Sequence, residues 1–271
     1  MFFSQRRTMK SLANAPALRA RQSYASILPG FEEGYPLLRL VRDLEQILSS
    51  ILGHRYVADP TPSVFTQANL AWWRRFNMLP IWLPELVYTP EFELKLLMKF
   101  GQMRSRGVRP WVGLAADFHY RIRGLDSFAP WIVVKRGWYL VDLTPNSVIG
   151  RVGDVLGSAI SPHPTGSRLG ITPDDWESVI CPTCAKQILK VGKYQEARLE
   201  SAVEYILISN LFATERFSRD VQEWFHDSPR GTRLYRGSVI TPLNDLKLEV
   251  GCYTGSEDSF ENLAGRPIIR F

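Results

Sequence analysis

Acidic residues are missing from the first 31 positions. Between Met1 and Phe31 stand five basic side chains, Arg6, Arg7, Lys10, Arg19 and Arg21, and the first carboxylate is Glu32. The chain carries a net charge of +6, yet the 28 basic and 27 acidic residues beyond this leader nearly cancel. The folded body is therefore not a uniformly basic nucleic-acid binder, whatever its leader does. Cysteine is scarce as well. Three in 271 residues form no disulfide framework, which points to a reducing compartment. No apolar run approaches the roughly 20 residues needed to cross a bilayer; Ile81 to Tyr88 is short and interrupted by Pro84 and Glu85. No Walker loop, G-x-G-x-x-G, H-E-x-x-H or G-x-S-x-G pattern occurs, so the common motif-borne nucleotide, zinc-protease and hydrolase chemistries have no foothold.

An Arg-, Ser- and Ala-rich leader without acids has the composition of a mitochondrial transit peptide, with processing expected between Arg21 and Ser26. The rival reading is a basic arm that docks on RNA or on acidic protein surfaces, and the plainest is a tail with no role. The first reading gives a matrix or matrix-facing location; without targeting, the location is cytoplasmic. Eight Trp and 18 Pro favour irregular, contact-rich structure with aromatic anchors.

The fold class expected is α+β: a mostly helical N-terminal half, then a mixed α+β C-terminal half with a β-hairpin. The expected division is a leader over 1–31, a helical region over 32–126 and an α+β region over 127–271. Leu37, Leu38, Val41, Leu44, Ile47, Leu48, Ile51 and Leu52 recur at helical spacing on one face, and Gly53 suits the stop. A second helix is predicted over Phe65–Asn77, and an extended stretch over Leu79–Thr89. Thr89 and Pro90, followed by Glu91 and Glu93, open a third helix reaching about Arg106. Trp131–Val134 and Trp138–Leu143 read as a hairpin around Gly137. Thr172–Asp175 opens another helix. Lys193–Ala213 and Thr214–His226 read as two more, and short strands close the chain at Thr232–Arg236, Leu246–Cys252 and Pro267–Phe271.

Cys181-Pro182-Thr183-Cys184 is the sharpest motif. Two thiolates at this spacing can share a tetrahedral zinc. Cys252 would be the third ligand, and His163 or His226 the fourth. A structural zinc is the one cofactor this pattern suggests. A redox pair lacks its βαβ context, and buried thiols in a helix or turn are the plain alternative. A second constellation is basic: Lys99, Arg104, Arg106, Arg109, Arg121 and Arg123 face a single acid, Asp117, with Trp111, Phe118, His119 and Tyr120 interleaved. That mixture suits RNA; arginines that merely complement a helix C-terminus are the alternative. Trp72, Trp73, Arg74 and Arg75 have the composition of an interface hot spot, against the reading that both Trp residues are core. Asp142 after its strand and the Asp174/Asp175 pair are the suggestive carboxylates, the pair being better suited to a helix start than to catalysis.

Leu234-Tyr235-Arg236-Gly237, then Tyr253-Thr254-Gly255-Ser256, resembles the first two elements of the arginine-specific ADP-ribosyltransferases, over roughly 40 residues. The resemblance implies that Arg236 holds the cofactor and that Ser256 lies on the strand shaping the nicotinamide pocket. The family then requires a catalytic Glu after a further strand, where this sequence has reached Phe271. The resemblance thus implies a degenerate relative rather than an active transferase. Three functions are expected, in this order. The first is a non-catalytic structural subunit of a large mitochondrial assembly, a mitoribosome or a respiratory or ATP-synthase complex, whose partners are other protein subunits. The second is an RNA-binding ribosomal or viral protein, and the third the degenerate transferase.

Overall fold

The computed structural model describes residues 37–103, 111–114, 133–161, 166–217, 221–226, 233–240, 247–253 and 263–271. The leader and the segment bearing Arg104, Arg106, Arg109, Arg121 and Arg123 lie outside the described residues, as do His163 and Ser256.

The fold is α+β. The predicted helix with an apolar face is α1, Leu37–Leu52, which buries Leu40, Leu44, Ile47, Leu48 and Ile51. α2, Gln67–Arg74, starts where Thr66 accepts a hydrogen bond from Asn69 N–H, satisfying one orphan donor of the first turn. α3, Pro90–Met103, carries Glu91 and Glu93 in its first turn. Between α2 and α3 lie β1, Met78–Leu83, and β2, Leu86–Val87.

Later in the chain come β3, Gly113–Leu114, β4, Val133–Val134, and β5, Gly137–Asp142. α4, Val155–Ile160, is capped by Asp154. α5 is one continuous helical run over 173–188, with α turns at Pro173–Asp175 and Cys181–Thr183 and wider π turns at Trp176–Ile180 and Cys184–Ile188. β6, Glu196–Leu199, leads into α6, Ala202–Phe212. A 3-10 turn, Thr214–Phe217, precedes β7, Gln222–Trp224. β8, Arg233–Ile240, and β9, Lys247–Tyr253, are described by their backbone. β10, Leu263–Ala264, and β11, Pro267–Arg270, complete the order.

One sheet runs β1-β5-β11-β6, antiparallel throughout, and a second runs β10-β7-β8-β9-β3. β1 and β5 are buried along their whole length, as expected of strands covered on both faces. The sheet and its continuous core draw on residues from both sides of position 127: β1 pairs with β5, and Phe65 meets Phe271 edge-on at 4.9 Å.

Three local readings need correction. Val133–Val134 and Gly137–Asp142 are not partners in a hairpin. β4 pairs with β2, because both edges of β5 are taken by β1 and β11; strands consecutive in the chain pair antiparallel further on, β7 with β8 and β8 with β9. The predicted helix over Lys193–Ala213 is a strand and then a helix. Ser201 caps α6 through Glu204 N–H, and the Glu204 carboxylate returns a bond to Ser201 N–H. This reciprocal box fixes where the helix begins. The predicted helix over Thr214–His226 is a 3-10 turn followed by β7.

α6 is buried on every side, including its polar residues Glu204, Ser209 and Asn210. A helix surrounded by protein must satisfy such groups internally. Asn210 does so by imitating a strand: its Oδ1 accepts from Val112 N–H at 2.8 Å and its Nδ2 donates to Val112 O at 2.9 Å and to Ile206 O at 2.8 Å. Asn210→Leu strips both Val112 groups of their partners, with an expected loss of about 3 kcal/mol, checked by urea denaturation. A loss of less than roughly 0.5 kcal/mol would mean that Val112 finds other partners.

Candidate functional site

The most concentrated polar chemistry among the described residues lies inside the protein. Asp142, at the end of β5, has one carboxylate oxygen that accepts from Thr144 N–H at 2.9 Å and from the Thr144 hydroxyl at 2.6 Å. Its other oxygen accepts from Arg168 Nη1. Arg168 also grips Asp154, with Nε donating to Oδ2 at 2.7 Å and Nη2 to Oδ1. Asp154 is at the same time the cap of α4, accepting from Gly157 N–H and Gly150 N–H, each at 2.9 Å. A Cβ on residue 157 would stand 2.4 Å from Asp154 Oδ2, so this close cap requires glycine there.

Arg266 extends the network. It donates from Nε to Glu223 at 3.0 Å, from Nη2 to Asn146 Oδ1 at 3.1 Å and from Nη1 to the Asp142 carbonyl at 3.3 Å. A neighbouring pair joins Arg216 Nη2 to Glu200 Oε2, with the Arg216 guanidinium 4.6 Å from the Tyr205 ring centroid. Relative exposure of Asp142, Asp154, Arg168, Glu200, Arg216, Glu223 and Arg266 is 0–1%.

Electrostatics divides the carboxyls. Burial alone would push the Asp142 carboxyl up, but Arg168, Arg266 and the Thr144 hydrogen bonds overrule it and hold it well below the usual carboxylate range. Glu204 is likewise held low against burial, by Arg198 and by the bonds of its capping box. Glu200 goes the other way. Burial pushes it up to about 7; Arg216 and Arg266 offset this only in part, and Glu223 adds a like charge.

Cys181 and Cys184 sit one turn apart in α5, buried within the apolar core. Burial raises both thiols, Cys181 well above its ordinary value and Cys184 to about 12, with the neighbouring Asp142 charge adding to the second. Neutral thiols of this kind are inert packing groups rather than nucleophiles. Among the described residues no three His, Cys, Asp or Glu side chains come together as a metal site. The Cys252 side chain, the third expected ligand, is outside the description; the backbone of β9 places residue 252 opposite Leu234.

The Trp-Arg cluster divides. Trp73 is core: it is fully buried, and its indole N–H donates to Leu189 O at 2.8 Å. Trp72 is half-buried and donates to Ile188 O at 2.8 Å. Arg75 and Lys190 lie over its ring, 5.1 and 4.9 Å from the centroid. Of the basic constellation, Lys99 is structural, its ammonium capping the last carbonyls of α1 at Ser50 O, 2.8 Å, and Ile51 O, 2.7 Å.

Arg236 lies on β8 opposite Val250 on β9. Asp175 serves the start of α5, where Thr172 accepts from Asp175 N–H and donates to its carboxylate. No helix among the described residues is long and apolar enough to cross a membrane. Compared with known proteins, the chain matches no family model, no curated protein and no solved structure.

Proposed function

We propose that this chain is a non-catalytic structural subunit of a large mitochondrial assembly, working through its surfaces and not through a reaction centre. One observation carries the reading. Among the described residues, the densest cluster of acids and arginines is sealed in the interior, where it holds β5, α4, β7 and the segment before β11 to one another. A group at 0–1% exposure touches no substrate; its chemistry is spent on the fold. The leader supports the location, because its acid-free, Arg-rich composition suits import.

The test is gradient sedimentation of the endogenous protein from organelle extract, followed by intact mass measurement. Expected are migration with a large, RNase-insensitive species and a mass lacking a segment that ends between Arg21 and Ser26. Migration as a free monomer would sink the assembly reading. Collapse of the large species on RNase treatment would shift it to a ribosomal one.

A further inference from the structure

Resting on the assembly reading, we infer that the face built around Trp72 is a docking surface for an acidic protein segment. Two stretches remote in sequence meet there. Residues 67–77 supply Arg75, residues 184–195 supply Lys186, Lys190 and Lys193, and neither stretch contains an Asp or a Glu. The two indole N–H groups pin them together, Trp72 to Ile188 O and Trp73 to Leu189 O. Arg75, Lys186, Lys190 and Lys193 are all exposed. The result is a pair of exposed cations, Arg75 and Lys190, over an indole that is itself hydrogen-bonded to the second stretch.

Lys190 adds an independent sign. It terminates α5 at φ 55°, a left-handed position that normally goes to glycine. Val191 N–H closes the turn onto Ala185 O at 2.8 Å. A lysine there strains the backbone, and what it delivers is an ammonium over Trp72 beside the Arg75 guanidinium. Strain kept in place of an available glycine points to the side chain's use.

The partner's chemistry follows from what the face lacks. Single-stranded RNA is gripped by open aromatic faces on which bases stack. Here the Trp72 ring carries cations and its N–H is spent. What faces outward is a planar guanidinium and lysine ammonium groups, which suit carboxylates held on a protein.

The experiment compares the full chain with Arg75→Glu/Lys190→Gly, using fluorescence anisotropy of a labelled oligoglutamate peptide and of oligouridylate and duplex RNA of matched charge. Glycine accepts φ 55° freely, so the variant keeps its fold, and its urea midpoint checks this. Expected is peptide binding weakened by about tenfold or more in the variant, with RNA binding no tighter than the peptide. Equal peptide binding by both proteins would overturn the inference, as would RNA binding at least about tenfold tighter than the peptide. Sedimentation of the variant separates the two readings. Release from a large species that retains the wild type supports this face; retention there rejects the face and leaves the assembly standing.

Discussion

Arg168→Ala is expected to destabilise the protein by about 4 kcal/mol or more, because it takes a directly paired cation from two buried carboxylates at once. Asp142 and Asp154 both pair with this one guanidinium. Arg266 stands 3.5 Å from Asp142 Oδ2 but is already committed to Glu223 and Asn146. With a total stability of roughly 5–15 kcal/mol for a natural domain, such a loss leaves the variant marginal. Lysine should not rescue it. One ammonium on a flexible stem cannot reproduce the Nε/Nη2 fork on Asp154 together with the Nη1 bond to Asp142. Urea denaturation of Arg168→Ala, Asp142→Leu and the double variant closes a thermodynamic cycle. The double variant should be less harmful than the sum of the single changes by about 2 kcal/mol, since it removes the unpaired charge at Asp142, while Asp154 stays unpaired in both Arg168 variants. Additive losses would mean that the Asp142–Arg168 contact carries no net energy.

Little of this network was legible in the sequence, whereas much of the framework was. The helical spacing of α1 and the Thr-Pro-Glu opening of α3 are local signals, and both elements stand where those signals put them. So do β8, β9 and β11. Leu38 marks the limit of periodicity: it belongs to the apolar pattern of α1 yet is 80% exposed. Between Lys193 and Ala213 the sequence carries its own signal for the break. Ser201 and Glu204 stand three apart before the apolar run, which is the signature of a capping box. A helix start at Ser201 would have left Glu196–Leu199 to be read as a strand.

The buried charges were beyond reach for a different reason. Asp142, Asp154, Arg168, Glu223 and Arg266 are spread over some 120 residues and become neighbours only when β5 and β11 pair and α4 packs nearby. Taken one at a time each looks like a solvated surface residue, because that is what isolated charges usually are. Only Asp142 stood out, for following an apolar strand, and nothing local names its cations. Trp72 and Trp73 are adjacent in the chain, yet one is core and the other supports a surface. Composition marked the pair; only the helix geometry tells them apart.

Stability is expected to fall as pH rises from about 5 to 8, by as much as about 3 kcal/mol, and Glu200 is the cause. Its cluster of Asp142, Asp154, Glu200 and Glu223 against Arg168, Arg216 and Arg266 has one more acid than base. Glu200 is the acid whose carboxyl burial pushes up to about 7, from an ordinary value of 4.5. Below 4.5 the group is protonated whether the chain is folded or not, and the folded form suffers nothing. Above it the unfolded chain releases the proton while the folded chain keeps it, so the unfolded state gains until the folded group also ionises near 7. Asp142 and Glu204 act oppositely. Their depressed values add stability above the ordinary carboxylate range that is lost as pH falls. The two trends together place maximum stability in mildly acid solution. Glu200→Gln holds the side chain in a neutral form that can still accept from Arg216, so it should abolish the fall between pH 5 and 8 and leave the acid limb intact. Urea midpoints of both proteins across this range decide the matter. A wild-type profile that is flat from pH 5 to 8, or a Gln variant that keeps the slope, would assign the proton to some other group.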